Sequence, residues 1–145
     1  MDIVSLVRGQ KTLEVTEQIR GLIEYAVECI KQYDERDKTQ SEEADAKARL
    51  LLKNAKAQVV YALCELELAG YGCKRWLYDR EIIRDLAQKV ILDFWNMTLV
   101  GYVVREDRTR FVNTVYENAE SLINPWRGEI ATSKMILPPP PGDGL

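Results

Sequence analysis

The stretch between Ser41 and Gly70 constrains the fold more than any other part of the chain. It contains no proline, and no glycine precedes Gly70. Its apolar residues recur at steps of three and four, the spacing that places side chains on one face of a helix; they are Ala44, Ala48, Leu51, Ala55, Val59, Ala62, Leu66 and Ala69. A helix of this length reaches about 45 Å at the usual rise per residue. We therefore predict a long central helix over about 41–69, with the other elements packed along it.

Both ends of this helix carry recognisable signals. Thr39 and Glu42 fit a capping box at the start, and Ser41 is a competing N-cap. Gly70 suits the position that follows a last helical turn, because glycine adopts the left-handed conformation without strain. The sequence therefore predicts that the helix ends at Gly70 and that residues 70–78 form a connection.

Similar apolar stripes predict three further helices, over about 13–33, 80–97 and 108–123. Residues 1–11 are expected to be a short apolar lead-in that packs against something. Asp79 and Asp107 are the predicted N-caps of the third and fourth helices, and Asn124-Pro125 is the predicted stop of the fourth. Residues 98–104 fit either a continuation of the third helix or an extended link broken near Gly101, since a lone strand would have nothing to pair with.

Four amphipathic helices joined by short links predict an all-α, four-helix bundle-like domain over residues 1–124. Residues 125–145 are different, because they show no helical period and Pro138 to Pro141 must be extended.

This C-terminal segment is also apolar, whereas a free tail is usually polar. The residues that give it this character are Trp126, Ile130, Met135, Ile136, Leu137, Pro138 and Pro139. We predict an extended, proline-rich assembly arm that docks either on its own bundle or on a neighbouring subunit. A proline-rich ligand for an SH3-like partner fits less well, because the proline run is short and adjoins an apolar stretch.

The composition argues against most catalytic chemistry. The chain has no histidine, which removes the usual general base and a common metal ligand. Di-iron bundles need Glu-x-x-His on two helices, a motif that a chain without histidine does not contain. The three cysteines show no CxxC spacing, and we expect Cys29 and Cys64 to be buried thiols. The sequence predicts a non-enzyme without a metal site or a cofactor.

Net charge and hydropathy limit the partners and the cellular location expected for the chain. The formal net charge of −3 is too small to indicate nucleic acid or membrane by itself, but it leaves room for a local basic face. No apolar run is long enough to span a membrane, and the N-terminus lacks a signal-peptide pattern. We expect an intracellular or virion protein without a membrane span. Its residue usage also leans towards a thermophilic source.

Two groups of basic residues are candidates for contact with nucleic acid. Arg49, Lys53 and Lys56 stand at i, i+4 and i+7 on the central helix, about 120° from its apolar stripe. They suit a phosphate backbone, without sequence specificity; the alternative is a solvated helix face.

Lys74 and Arg75 form the second group. They are interleaved with the aromatic residues Tyr71, Trp76 and Tyr78, a pattern that single-stranded nucleic acid uses for stacking and charge. The alternative is a helix corner that covers the end of the core.

These features favour a structural subunit of a helical assembly. A coat or capsid-type protein of a filamentous virus or nucleoprotein filament would pack against nucleic acid through the basic helix face and against copies of itself, or a related subunit, through the arm. The alternative is a small helical adaptor subunit of an RNA-guided, nucleic-acid-processing complex.

Overall fold

The computed structural model describes residues 2–136 of the chain, and side chains as far as Gly128. This part folds into five helices and contains no strand: α1 (Ile3–Asp34), α2 (Glu42–Lys74), α3 (Arg80–Trp95), α4 (Thr98–Arg110) and α5 (Glu117–Ile136). The predicted all-α, bundle-like class is confirmed. No helix within the described range is long and apolar enough to cross a membrane.

The central helix lies where the periodicity places it. α2 packs against α1, α4 and α5, and α3 packs against α1, α4 and α5. Most of the predicted stripe of α2 is buried, and only Ala48 and Leu51 are partly exposed. The core combines this stripe with apolar side chains from the other helices, among them Ile19, Ile23, Ile83, Phe94, Val100 and Leu122.

The first helix begins earlier than predicted. Asp2 is its N-cap and accepts a 2.7 Å hydrogen bond from the Ser5 amide, so residues 3–11 are helical rather than a lead-in. For α2, Ser41 is the cap and accepts from the Ala44 amide at 3.1 Å. Thr39, the other candidate, instead donates its hydroxyl to Asp37.

The predicted end of α2 at Gly70 is wrong, because the helix continues to Lys74. A Cβ built on Gly70 would lie 2.1 Å from the carbonyl oxygen of Asn118. Gly70 therefore lets the start of α5 approach the backbone of α2, and it does not terminate the helix.

The segment after α3 is helical, which settles the ambiguity at residues 98–104. Asp79 caps α3 as predicted and accepts from the Glu81 amide at 2.9 Å. Asp107 does not cap a helix, because it lies inside α4, and the predicted helix start at residue 108 is wrong. Phe111 and Val112 are exposed in the link to α5. This link is fixed by Arg108, whose Nε donates to the Val115 carbonyl at 2.8 Å.

α5 passes through Pro125, the predicted stop, and reaches Ile136. Trp126 is 1% exposed and belongs to the core. The extended arm predicted from residue 125 is therefore wrong for residues 125–136, and Trp126 docks on its own bundle. Ile130, Met135 and Ile136 lie on α5, with side chains outside the described part, and Leu137, Pro138 and Pro139 lie outside the described residues altogether.

Candidate functional site

The first two turns of α1 present a group of apolar side chains to solvent. Ile3, Val4, Leu6 and Val7 are all exposed, and Thr12 is the first residue of α1 to be buried. At about 100° per residue these four side chains cover an arc of about 160°, on the side of α1 roughly opposite to its buried residues. An apolar arc this wide is normally packed against another surface, and the described chain leaves this one exposed.

The corner between α2 and α3 lies against this segment. Trp76 and Leu77 line a shallow hollow together with Val4 and Val7. Both corner residues are exposed, Trp76 by 76%. We call the combined surface the tip patch; it consists of Ile3, Val4, Leu6, Val7, Trp76 and Leu77.

The backbone at Trp76 is unusual for such a large residue. Its φ of 61° lies in the left-handed region. The Leu77 amide donates to the Gly72 carbonyl at 2.9 Å and the Trp76 amide donates to the Cys73 carbonyl at 3.2 Å. This is the Schellman arrangement at a helix C-terminus, in which glycine usually holds the left-handed position. Another residue there costs on the order of 1 kcal/mol, and the exposed indole regains little of it by burial.

Charged residues of both signs surround the tip patch. Its neighbours on α1 are Arg8 and Lys11, and the charged residues at the corner are Lys74, Asp79, Arg80 and Glu81. A surface for nucleic acid presents mainly positive charge, whereas mixed charges around an apolar centre are typical of a protein–protein interface.

The predicted basic row on α2 is only partly presented to solvent. Arg49 and Lys53 are exposed. Lys56 turns towards α4, where its Nζ lies 3.9 Å from the Glu106 carboxylate and 4.8 Å from the centre of the Tyr102 ring. The sequence could not reveal this, because α4 reaches Lys56 only through the tertiary fold.

The second basic group is separate from the first. Lys53 and Lys74 lie on the same helix, and their separation along its axis is about 30 Å at the usual rise per residue. Lys74 and Arg75 are exposed, with the Arg75 guanidinium 5.7 Å from the centre of the Tyr71 ring. The structure therefore does not bring the predicted nucleic-acid residues into one site.

The thiols are poor nucleophiles. Partial desolvation by neighbouring groups raises the pKa of the Cys64 thiol, with Asp107 adding to the effect, and burial raises the pKa of Cys73. Cys29 is buried as predicted, but Cys64 is exposed on α2 and the expectation of a buried thiol there is wrong. Among side chains up to Gly128, no group of three or more His, Cys, Asp or Glu residues is arranged to hold a metal ion.

A cleft of about 620 Å³ lies between the C-terminal end of α1, the middle of α2 and the start of α4. Its walls are mainly apolar, and its charged lining residues, Asp34 and Lys56, have opposite signs. Lys56 is already engaged by Glu106, so the charged lining residue that stays available to a ligand is Asp34.

Sequence reasoning missed the tip patch as a site. The available signal was the run of apolar residues at 3, 4, 6 and 7, whose i, i+3, i+4 spacing forms a second helical stripe on the side of α1 opposite to its core stripe. Nothing in the sequence shows that the backbone of Trp76 adopts the left-handed conformation, because the residue that usually does so at a helix end is glycine.

Comparison with known proteins identifies a family but no individual relative. No curated protein and no solved structure matches the chain. A family described as a domain of unknown function, DUF4760, matches residues 5–126, a span that holds the helical bundle and most of the tip patch. The chain belongs to the DUF4760 family.

Proposed function

We propose that this protein is a non-enzymatic structural subunit that assembles with copies of itself through the tip patch. The observation that carries the proposal is Trp76, which occupies a position suited to glycine while its side chain is 76% exposed. Strained backbone is often retained where it serves function. Tryptophan is also among the residues that contribute most to binding energy at interfaces.

The energetics of the patch suit association. Burying one large apolar side chain is worth about 1.5–3 kcal/mol, and the tip patch offers several such side chains. Part of this gain offsets the loss of translational and rotational freedom when two molecules associate. Other large apolar residues on the surface, such as Leu50 on α2 and Phe111 after α4, are exposed elsewhere on the fold and do not line the hollow at Trp76.

A coat-type role on nucleic acid is a second proposal, supported by Arg49 and Lys53. The two side chains are exposed one helical turn apart on α2, a spacing that suits successive contacts with a phosphate backbone. In such an assembly the tip patch would join subunits while this part of α2 would face the nucleic acid.

Sedimentation velocity over a range of protein concentrations tests the main proposal. The wild type should form larger species as its concentration rises, and a Val4→Ser/Val7→Ser variant should remain monomeric. Both residues are exposed, so the variant should keep its helical circular dichroism. Leu50→Ser is the matched control, since Leu50 is an exposed apolar residue outside the patch, and it should associate like the wild type. A wild type that stays monomeric at high concentration would contradict the proposal.

A further inference from the structure

We infer that copies of this chain join head to tail, with the tip patch of one molecule docked in a groove between α1 and α3 of the next. This inference rests on the proposed self-association and specifies its second surface. The groove has a volume of about 470 Å³ and lies between the C-terminal halves of the two helices. We call it the α1–α3 groove; it is lined by Ile23, Glu24, Val27, Glu28, Val90, Asp93, Phe94 and Met97.

The groove has an apolar floor and an acidic rim. Val27, Val90 and Met97 are partly exposed on the floor, so they gain burial when another apolar surface covers them. The rim carries three exposed carboxylates, of which Asp93 is paired with Lys89 at 2.9 Å. Glu24 and Glu28, on the α1 side of the rim, form no ion pair with another described residue.

The tip of α1 has the complementary character. Its first turns are apolar, and Arg8 and Lys11 follow directly on the same helix. Two positive charges beside an apolar helix end match two carboxylates beside an apolar floor. Opposite charges arranged in this way favour one partner and one orientation over others.

The occupant of the groove must come from a second molecule. α1 is a single helix that runs through both surfaces, and its tip lies on the order of 30 Å from the groove along the helix axis. A molecule therefore cannot place its own tip in its own groove. The contact uses two different surfaces, so each added copy leaves one tip patch and one groove free. Such heterologous contacts generate rings or open filaments.

A two-fold dimer of tip patches is the competing arrangement. It would not use the acidic rim of the α1–α3 groove, so Arg8 and Lys11 would not meet Glu24 and Glu28. It would also leave the floor of the α1–α3 groove uncovered and would stop growth at two copies.

The test blocks each surface separately. Glu24→Lys/Glu28→Lys reverses the charge of the rim at two exposed positions, and Val4→Ser/Val7→Ser removes the apolar contacts of the tip. Each variant alone should associate at least about tenfold more weakly than the wild type, a difference of roughly 1.4 kcal/mol. Lys38→Glu, an exposed change in the link between α1 and α2 and outside both surfaces, should associate like the wild type.

Mixing the two blocked variants distinguishes the arrangements. The groove-blocked chain keeps a working tip and the tip-blocked chain keeps a working groove, so an equimolar mixture should form a one-to-one dimer that grows no further. If the groove-blocked variant assembles like the wild type while the tip-blocked variant does not, the head-to-tail inference is wrong and the proposed self-association stands. If the wild type itself stays monomeric, both are wrong.

Discussion

Arg80 donates a hydrogen bond of 3.2 Å from Nη1 to the backbone carbonyl of Ser121. In an uninterrupted helix that carbonyl would accept from the amide of residue 125, but Pro125 has no amide hydrogen. The guanidinium at the start of α3 thus supplies the donor that α5 lacks. The helix continues past the proline and delivers Trp126 to the core.

The first prediction is that Arg80 and Pro125 are energetically coupled. Arg80→Met should lower the free energy of unfolding by about 1–3 kcal/mol, because the Ser121 carbonyl loses its donor in a partly buried place. In a Pro125→Ala background the restored amide at position 125 can donate to the Ser121 carbonyl. Arg80→Met should then lower the free energy of unfolding by clearly less. Urea unfolding of the four proteins forms a double-mutant cycle, and an equal loss in both backgrounds would disprove the coupling.

The second prediction concerns two glycines inside helices. Gly70→Ala should destabilise the fold by about 1–3 kcal/mol or more, because its Cβ would lie 2.1 Å from the Asn118 carbonyl oxygen and the two helices must separate. Gly21→Ala is the matched control: no atom beyond the adjacent residues and the backbone of its own helical turns lies within 4 Å of the added Cβ, so it should stabilise α1 by about 0.5–1 kcal/mol. Thermal unfolding of both variants measures the contrast, and a harmless Gly70→Ala would refute the close approach of α5.

The third prediction is a loss of stability in alkali through Tyr116. Burial, together with the 2.6 Å hydrogen bond that its hydroxyl donates to Asp107, raises the pKa of Tyr116 above its ordinary value of 10.0. The folded state therefore holds the phenol proton more tightly than the unfolded state. This contribution is complete below about pH 10 and is lost as the pH rises towards the folded pKa.

Urea unfolding between about pH 9 and pH 11 measures this effect. The unfolding free energy of the wild type should fall across that window, whereas Tyr116→Phe, which has no phenol proton, should show a shallower fall from a lower starting stability. Tyr61→Phe, at an exposed position on α2, should retain the slope of the wild type. If Tyr116→Phe and the wild type have the same slope, Tyr116 does not control the alkaline loss.

The fourth prediction tests contact with nucleic acid. If Arg49 and Lys53 touch phosphates, Arg49→Glu/Lys53→Glu should weaken binding and lower the slope of log affinity against log salt concentration by about 2. Lys31→Glu/Lys38→Glu carries the same change in charge at exposed positions elsewhere and should bind like the wild type. Fluorescence anisotropy with labelled single-stranded and duplex DNA at several salt concentrations gives both slopes. Equal slopes, or no binding at low salt, would dismiss this surface.

The sequence predicted those features that depend on neighbours along the chain. The stripe of α2 and the cap at Asp79 depend on spacings of a few residues, and both are present. Gly70 and Pro125 were misread as helix ends, because glycine and proline usually end helices when nothing else intervenes. Here the backbone of Asn118 occupies the space beside Gly70. Arg80 donates to the Ser121 carbonyl, which lacks an amide partner because of Pro125.

The site was less predictable than the fold for the same physical reason. Lys56 left the basic row because Glu106 and Tyr102 reach it through the tertiary fold. The apolar residues at the start of α1 were visible in the sequence, but their exposure depends on where the bundle ends. Whether an apolar residue is enclosed or presented is a property of packing, which no local pattern determines.

One substitution, Trp76→Gly, tests the central claim most directly when stability and association are measured on the same sample. Glycine suits the left-handed backbone at this position. The melting temperature of the monomer should therefore stay the same or rise, and the free energy of unfolding should increase by up to about 1 kcal/mol. Association in sedimentation velocity should be lost, because the exposed indole is the largest apolar side chain of the tip patch. A variant that has a lower melting temperature than the wild type and still associates would show that Trp76 stabilises the fold and does not contribute to assembly.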